Sequence, residues 1–186
     1  MAETQANLNN SKPALNWHED FIIHLASLLR PRVYIELGIQ RCSLFNRMIP
    51  YAERLIGVDI DPTAGSYMQF SDKTFFVHAA SQDFAKELSA QPITIDMLFI
   101  DADHSQEEVL KDFKTYFPFV APHGMILLHD VHPGHAGLIH EQLCGTAYLA
   151  AQELSQQTEA YEMVTIPVSP GLAICRKRKI QLSWQE

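Results

Sequence analysis

Acidic and imidazole side chains follow two apolar runs of this sequence, at the point where each run ends. Asp101 and His104 follow one run, and His129 and Asp130 close another. Crowded carboxylates are costly without a cation, and oxygen ligands suit divalent ions such as Mg²⁺ or Mn²⁺. Such an ion lowers the pKa of a bound hydroxyl. The pattern therefore predicts a metal site made by Asp101, His129 and Asp130 that prepares a hydroxyl for reaction.

A second group of residues indicates a nucleoside-binding crevice. Gly38 ends an apolar run and permits a tight turn with close backbone approach. Asp59, at the end of the next run, has a carboxylate that can accept both hydroxyls of a ribose. A dinucleotide requires more glycines at such a turn, because its pyrophosphate lies against backbone amides, and Glu36 adds negative charge there. The crevice therefore suits a phosphate-free nucleoside with a cationic tail, such as an adenosyl sulfonium amino acid.

These residues need a fold that brings the ends of several strands together. Short apolar runs alternate with segments of helical periodicity, which is typical of a parallel sheet with crossover helices. The predicted strands are Val33–Leu37, Leu55–Asp59, Thr74–His78, Ile95–Ile100, Met125–His129, Glu162–Ile166 and Leu172–Arg176. The last two flank a short Pro/Gly turn and are predicted to form an antiparallel hairpin at the sheet edge. The fold class is α/β, a Rossmann-like doubly wound sheet of about seven strands, mostly parallel.

Helices are predicted where apolar residues recur at helical spacing. The segments are 16–30, Ser43–Met48, Ala64–Phe70, Asp83–Leu88, Glu107–Phe117 and Leu143–Gln156. Asn16 with Glu19, and Ser105 with Glu108, have the spacing of capping boxes. The glycine-containing segment Val131–Thr146, between the fifth strand and the last helix, is expected to form one wall of the pocket.

With these residues in place, the sequence resembles the class I S-adenosylmethionine-dependent methyltransferases from about Trp17 to Lys177. The resemblance implies that Glu36 and Gly38 lie beside the methionine part of the cofactor, and that Asp59 binds its ribose. Ser43, at the start of the following helix, matches the family as well. The implied cofactor is S-adenosylmethionine.

The stretch Ala80-Ser81-Gln82-Asp83 is similar to one that follows the third strand in the catechol O-methyltransferase group. This similarity implies that Ala80, Ser81 and Gln82 line the adenine site. Asp101 is expected to lie beside the cofactor too. The family commonly has a second glycine where this sequence has Cys42.

The Asp-x-x-His pattern of Asp101 and His104 is similar to that of metal-dependent small-molecule and sugar O-methyltransferases and of cephalosporin-hydroxylase-like proteins. The resemblance implies that Asp101 is a metal ligand and His104 the catalytic general base. These relatives commonly carry an acidic pair where this sequence has His129 and Asp130. A histidine at the first position of this pair weakens the preference of the site for magnesium and allows manganese, iron or zinc. The implied activity is metal-assisted methyl transfer to a hydroxyl of a small molecule or sugar.

Two other functions fit parts of the pattern. An NAD-dependent oxidoreductase uses a similar crevice, but the single glycine and Glu36 disfavour it. A non-catalytic nucleoside-binding protein on the same scaffold is the other alternative, because Cys42 and His129 depart from the enzyme pattern. Measuring the binding of S-adenosylmethionine and of NAD distinguishes the methyltransferase from the oxidoreductase. Measuring metal binding distinguishes the methyltransferase from the non-catalytic protein.

Composition restricts the partners. The 186 residues are 47% hydrophobic, as in ordinary globular proteins, and we expect a flexible arm at 1–15 and a single methyltransferase-like domain at 16–186. The formal net charge of −8 disfavours nucleic acid and anionic membranes as partners.

The N-terminus lacks a signal-peptide pattern and no apolar run is long enough to span a bilayer, which favours a cytoplasmic location. Cys42, Cys144 and Cys175 are expected to be free thiols, and a homodimer through the sheet edge or final helix is left open.

Overall fold

The apolar runs form one seven-stranded sheet in the computed structural model, which describes residues 16–157 and 159–178. The strands are β1 (Val33–Leu37), β2 (Arg54–Asp59), β3 (Thr74–His78), β4 (Ile95–Ile100), β5 (Val120–His129), β6 (Tyr161–Ile166) and β7 (Leu172–Lys177). The flexible arm predicted at 1–15 lies outside the described residues.

The strand order is β3-β2-β1-β4-β5-β7-β6. Strands β1 to β5 are parallel, whereas β7 runs antiparallel to both β5 and β6. The predicted α/β fold with an antiparallel C-terminal pair is therefore confirmed. The order changes direction between β1 and β4, and ligands bind at the carboxyl ends of strands beside such a switch point.

Helices cover both faces of the sheet. They are α1 (Trp17–Leu29), α2 (Ser43–Met48), α3 (Ser81–Ala90), α4 (Gln106–Tyr116) and α5 (Ala147–Leu154), with 3₁₀ turns at Ala64–Tyr67, Phe117–Phe119 and Ala136–Leu138. None of the helices in the described part of the chain is long and apolar enough to cross a bilayer.

Successive residues of each strand point to opposite faces, so the sheet supports two cores. In β1, Ile35 and Leu37 pack into the core under α3, α4 and α5, whereas Tyr34 packs into the core under α1 and α2. These side chains are fully buried. The two cores hold the carboxyl ends of the central strands in fixed positions.

The two predicted capping boxes differ in the structure. Ser105 Oγ accepts a hydrogen bond from the Glu108 N–H at 3.3 Å, as expected at a helix N-terminus. The Asn16 side chain caps no backbone N–H and instead donates from Nδ2 to Glu19 Oε1 at 3.5 Å, while Glu19 Oε2 accepts from Ser43 Oγ and Arg47. The contact between α1 and α2 therefore replaces the local cap.

Candidate active site

Two adjoining cavities lie at the carboxyl ends of the central strands. The first has a volume of about 370 Å³ and the second about 300 Å³, and Gly38, Gln40 and Asp101 line both. Of the predicted cofactor residues, the first is also lined by Asp59, Ala80 and Ser81, and the second by Glu36 and Ser43. Their combined size suits a small organic ligand in two connected parts.

Gly38 lines both cavities, and its backbone has a conformation that residues with a side chain rarely adopt. Its φ of +84° lies in the left-handed region, and a Cβ atom there would come within 2.4 Å of the Asp101 carbonyl oxygen. The turn after β1 consequently packs directly on the loop after β4. Gly38 therefore makes the tight turn expected after this strand.

Asp59 is held rigidly at the end of β2. Its Oδ2 accepts a hydrogen bond from the Gln40 N–H and its Oδ1 accepts one from the Asp61 N–H, both at 2.9 Å. Each carboxylate oxygen keeps further acceptor capacity toward the first cavity. Asp59 is therefore placed to accept the two hydroxyls of a diol.

Cys42 adopts a left-handed conformation with a φ of 56°. Glycine adopts this conformation without cost, which explains why a glycine suits this position in related sequences. The side chain is buried, and its Sγ lies 3.5 Å from the Ala64 carbonyl oxygen. A non-glycine residue in this conformation carries some backbone strain.

Two of the three residues after β3 that were expected to line the nucleoside crevice do line the first cavity. Ala80 and Ser81 line the first cavity, but the Gln82 side chain is bound to α4. Its Nε2 donates to Asp112 Oδ1 at 2.6 Å, and its Oε1 accepts from Thr115 Oγ1 at 3.1 Å. Gln82 is therefore not among the residues that line the first cavity, because these two bonds hold its amide against α4.

Asp112 is a cavity residue that the sequence analysis missed. It is 2% exposed, lines the first cavity and accepts a hydrogen bond from Ser81 Oγ. Burial raises its pKa, and the bonds from Ser81 and Gln82 act in the opposite direction. A signal was present, because Asp112 lies on the helical stripe of Val109, Phe113 and Tyr116, which are apolar and buried.

Glu36 is buried beside the second cavity. The residue is 3% exposed, and its carboxyl group accepts a hydrogen bond from the Tyr34 hydroxyl at 2.6 Å. Burial raises the pKa of Glu36 well above its ordinary value, although the Tyr34 bond acts against this. A cationic group in the second cavity would favour the carboxylate form.

Asp101, His104 and Asp130 meet beside both cavities. One ligand atom from each lies within 4.8 Å of the others. His104 Nε2 is 3.3 Å from Asp130 Oδ2 and 3.6 Å from Asp101 Oδ1. The two carboxylates therefore face one imidazole across a space suited to a small cation.

His129 supports this cluster from the side. Its Nδ1 lies 2.9 Å from Asp101 Oδ1 and 3.5 Å from Asp130 Oδ2. Burial disfavours the imidazolium, but the two carboxylates outweigh burial and raise the pKa of His129 to about 10. Burial alone would raise the pKa of Asp101, but His129 and His104 hold it below its usual range.

The donor set fits a divalent metal with one change from the prediction. His129 was predicted as the third ligand, whereas the structure places His104 in the three-residue group. His129 Nδ1 is engaged by Asp101, and its Nε2 is buried without a hydrogen-bond partner in the described chain. This is the arrangement of a residue that orients a ligand carboxylate from outside the metal shell. Because His104 Nε2 is the ring atom left to act as a base, Asp101 and Asp130 would hold the metal, and carboxylate oxygens suit magnesium or manganese.

His104 is oriented by the segment before α5. Its Nδ1 is hydrogen-bonded to the Leu143 carbonyl oxygen, which only accepts, so the neutral ring carries its proton there and Nε2 is the basic atom. The bond to Asp101 raises the pKa of His104, while burial lowers it. Thr146 N–H also donates to the His104 carbonyl oxygen at 2.8 Å.

The predicted pocket wall at Val131–Thr146 contributes to a third cavity. This cavity has a volume of about 280 Å³, and its lining includes His104, Ile139 and Gly145. Gly145 has a φ of +51°, and a Cβ there would lie 2.4 Å from the His104 carbonyl oxygen. The wall is therefore packed directly on the loop that carries His104.

His18 is a second residue that the sequence analysis left without a role. Its ring lies on that of His129 with centroids 3.9 Å apart, and it lines the second cavity. Burial, followed by repulsion from His129, lowers the pKa of His18 to about 4. A single histidine in the first turn of a helix gives no signal for this position.

Comparison with known proteins agrees with this geometry. A family model described as a methyltransferase domain matches residues 33–131, just over half of the chain. An uncharacterised protein of Acanthamoeba polyphaga mimivirus is 29% identical over 111 residues, which cover 52% of this chain and 50% of that protein. The chain thus spans about half the length of this curated relative.

Solved structures show the same fold at low sequence identity. An O-methyltransferase from Bacillus cereus in complex with SAH has a TM-score of 0.71 and 11% identity, covering 90% of this chain and 84% of its own. The O-methyltransferase TomG from Streptomyces achromogenes, in complex with SAM, has a TM-score of 0.70 and 13% identity, covering 87% and 80%. These structures show the fold, and the family-model match over β1 to β5 shows that the chain belongs to the methyltransferase domain family.

Proposed function

We propose that this protein transfers a methyl group from S-adenosylmethionine to a hydroxyl of a small molecule or sugar, assisted by a divalent metal. The observation that carries the proposal is the position of His104 Nε2, 3.3 Å from Asp130 and 3.6 Å from Asp101, beside the cofactor cavities. A base and two acidic ligands in one place suit deprotonation of a hydroxyl.

The cavities support an adenosyl sulfonium cofactor over a dinucleotide. Asp59 would accept the ribose hydroxyls in the first cavity. Glu19, Glu36 and Asp101 line the second. The carboxylates of Glu19 and Asp101 would attract the ammonium and sulfonium and repel phosphate, and the bound cation would favour the ionised form of Glu36. When bound, S-adenosylmethionine supplies an electrophilic methyl group.

The residues around His104 would prepare the acceptor. Asp101 and Asp130 would hold the metal, which when bound acts as a Lewis acid toward the acceptor oxygen. His104 Nε2 would accept the hydroxyl proton, and the Leu143 carbonyl oxygen keeps the ring in the required tautomer. The third cavity, lined by Ile139 and Glu141 among others, would receive the acceptor.

Methyl transfer tests this proposal. We expect purified protein with Mn²⁺ to transfer labelled methyl groups from S-adenosylmethionine to hydroxyl-bearing compounds in a panel of sugars and phenols. Chelation by EDTA should stop the transfer, and Mn²⁺ added back should restore it. Transfer that is insensitive to chelation would contradict the metal assignment, and transfer confined to nitrogen or sulfur acceptors would contradict the hydroxyl assignment.

A non-catalytic nucleoside-binding protein is the second candidate. It is favoured by the direct pairing of Asp101 with both His104 and His129, because two imidazoles can balance the carboxylates without a cation. This candidate predicts cofactor binding that does not change with Mn²⁺, together with no methyl transfer to any acceptor.

A further inference from the structure

We propose that Asp112 recognises the Watson–Crick edge of a bound adenine and makes the first cavity selective for adenosyl over 6-oxopurine ligands. The inference rests on the proposed function, because it concerns the nucleoside part of the same cofactor. It adds a specificity-determining residue that lies on α4, away from the stretch after β3.

Asp112 presents one free carboxylate oxygen to the first cavity. Ser81 Oγ and Gln82 Nε2 both donate to Oδ1, each at 2.6 Å. Oδ2 receives no hydrogen bond from the described residues. The atom is also not fully enclosed by the protein, so part of its surface is accessible. Because the side chain is 2% exposed and lines the cavity, this oxygen faces the cavity.

Backbone donors lie beside this acceptor. Ser81 and Gln82 form the first turn of α3, where N–H groups have no acceptor inside the helix. The next two N–H groups, of Asp83 and Phe84, donate to the Ala80 carbonyl oxygen. The Ser81 side chain links this turn to Asp112. The site therefore offers N–H donors next to a carboxylate acceptor.

Adenine has the complementary pattern on its Watson–Crick edge. Its exocyclic N6 amino group donates, and its N1 accepts. Hypoxanthine has the reverse pattern, with an acceptor at O6 and a donor at N1. A 6-oxopurine would thus face the Asp112 carboxylate with O6 and leave buried polar groups unpaired.

The other carboxylates of this cavity are already engaged or exposed. Both oxygens of Asp59 accept backbone N–H groups and their remaining acceptor capacity is assigned to the ribose hydroxyls, and Asp101 is paired with histidines. Glu108 pairs with Lys111 through both oxygens, and Asp103 is exposed and accepts from the Ser105 N–H. Asp112 is the buried carboxylate of the lining whose second oxygen is free.

Calorimetric titration with S-adenosylhomocysteine and its 6-oxo analogue S-inosylhomocysteine tests the inference. We expect the wild-type protein to bind the adenosyl compound about 100-fold more tightly. Asp112→Asn should reduce this ratio to about 10-fold or less, since the amide keeps its oxygen toward Ser81 and Gln82 and can donate to O6. Glu107→Gln removes an exposed carboxylate of the same helix outside the cavity and should keep the wild-type ratio.

Ligand variation keeps the test independent of folding of the Asp112 variant. On the wild-type protein, S-adenosylhomocysteine with a dimethylated N6, or with N1 replaced by carbon, should bind about 10-fold more weakly or worse. Unchanged affinity for both compounds, or an unchanged ratio in a folded Asp112→Asn protein, would overturn the inference alone. Failure of the wild-type protein to bind S-adenosylhomocysteine would overturn the proposed function and the inference with it.

Discussion

At the scale of single residues, the chemistry depends on how burial and neighbouring charges set protonation. Glu36 is buried against Tyr34, and its pKa lies well above the ordinary value, so the folded protein retains a proton that the unfolded chain releases. A cationic ligand beside Glu36 must displace this proton. Ligand binding and proton release are therefore coupled at this position.

This coupling predicts that affinity for S-adenosylmethionine rises with pH between about pH 5 and pH 8. The expected proton release is measured by calorimetry in buffers of different ionisation enthalpy. Glu36→Gln keeps an oxygen for the Tyr34 hydroxyl and should abolish proton release. An affinity that falls with pH in the wild-type protein would contradict the assignment of Glu36 to the cationic part of the cofactor.

The same proton gives a prediction for stability. Because the folded pKa of Glu36 is raised above the unfolded value of 4.5, its contribution to stability is greatest below that value and decreases as pH rises toward the folded pKa. Glu36→Gln removes this decrease. Thermal unfolding from pH 5 to pH 8 should show the variant gaining stability relative to the wild-type protein as pH rises, and the opposite trend would contradict the burial argument.

His104 carries the clearest prediction for catalysis. His104→Ala should reduce turnover about 10²- to 10⁴-fold, the usual contribution of a general base, while affinity for S-adenosylhomocysteine changes little. Turnover is measured by methyl transfer and affinity by calorimetry. His24→Ala, which removes an exposed histidine of α1, should affect neither. Loss of cofactor binding in the His104 variant would show that His104 supports the fold instead.

The site could be predicted where a polar residue ends an apolar run. Asp59, Asp101 and Asp130 occupy such positions, so the sheet topology brings them to one edge. Asp112 stands out as an acidic residue on an apolar helix stripe, but the sequence does not show that this stripe reaches the cavity, and His18 carries no local signal at all. His104, and not His129, completes the group with the two carboxylates. This depends on the directions of the side chains, which the spacing of residues in the sequence does not show.

At the scale of elements, the turn after β1 determines how the two cavities meet. Gly38→Ala places a Cβ within 2.4 Å of the Asp101 carbonyl oxygen at a φ of +84°. We expect a loss of about 2–4 kcal/mol in the free energy of unfolding, measured by urea denaturation, together with loss of cofactor binding.

The matched control is a glycine with more room. At Gly137 the nearest atom to an added Cβ is His135 Nδ1, at 3.2 Å, so Gly137→Ala should change stability by less than about 1 kcal/mol. Equal effects of the two substitutions would show that the contact between the β1 and β4 loops is unimportant.

The elements themselves were largely predictable because their signals are local. β1, β3, β4 and α2 have the predicted bounds. β5 begins at Val120 instead of Met125, and α5 begins at Ala147 instead of Leu143. In the second case Gly145, with its φ of +51°, and the Thr146 bond to His104 hold the preceding residues outside the helix. Such tertiary contacts outweigh helical periodicity.

At the scale of the whole molecule, the rigid sheet holds a carboxylate-rich cleft in a chain with a net charge of −8. Any cation that binds only the folded state must stabilise the whole domain. We therefore expect Mn²⁺ at about 100 times its Kd to raise the free energy of unfolding by about 2.7 kcal/mol. Thermal or urea unfolding with and without the metal measures this effect.

Asp130→Asn is the informative variant for this metal effect. Asp130 has a φ of 60°, which asparagine tolerates, so the substitution removes charge without changing the backbone. The stabilisation by Mn²⁺ should fall to less than about 1 kcal/mol in this variant. Stabilisation that persists would place the metal elsewhere.

We infer that the paired cavities hold an adenosyl cofactor with a cationic tail and no phosphate. Parallel calorimetric titrations of the purified protein with S-adenosylhomocysteine and with NAD⁺ test this inference. We expect binding of one S-adenosylhomocysteine per chain and no measurable heat with NAD⁺. Saturable binding of NAD⁺ without binding of S-adenosylhomocysteine would contradict it.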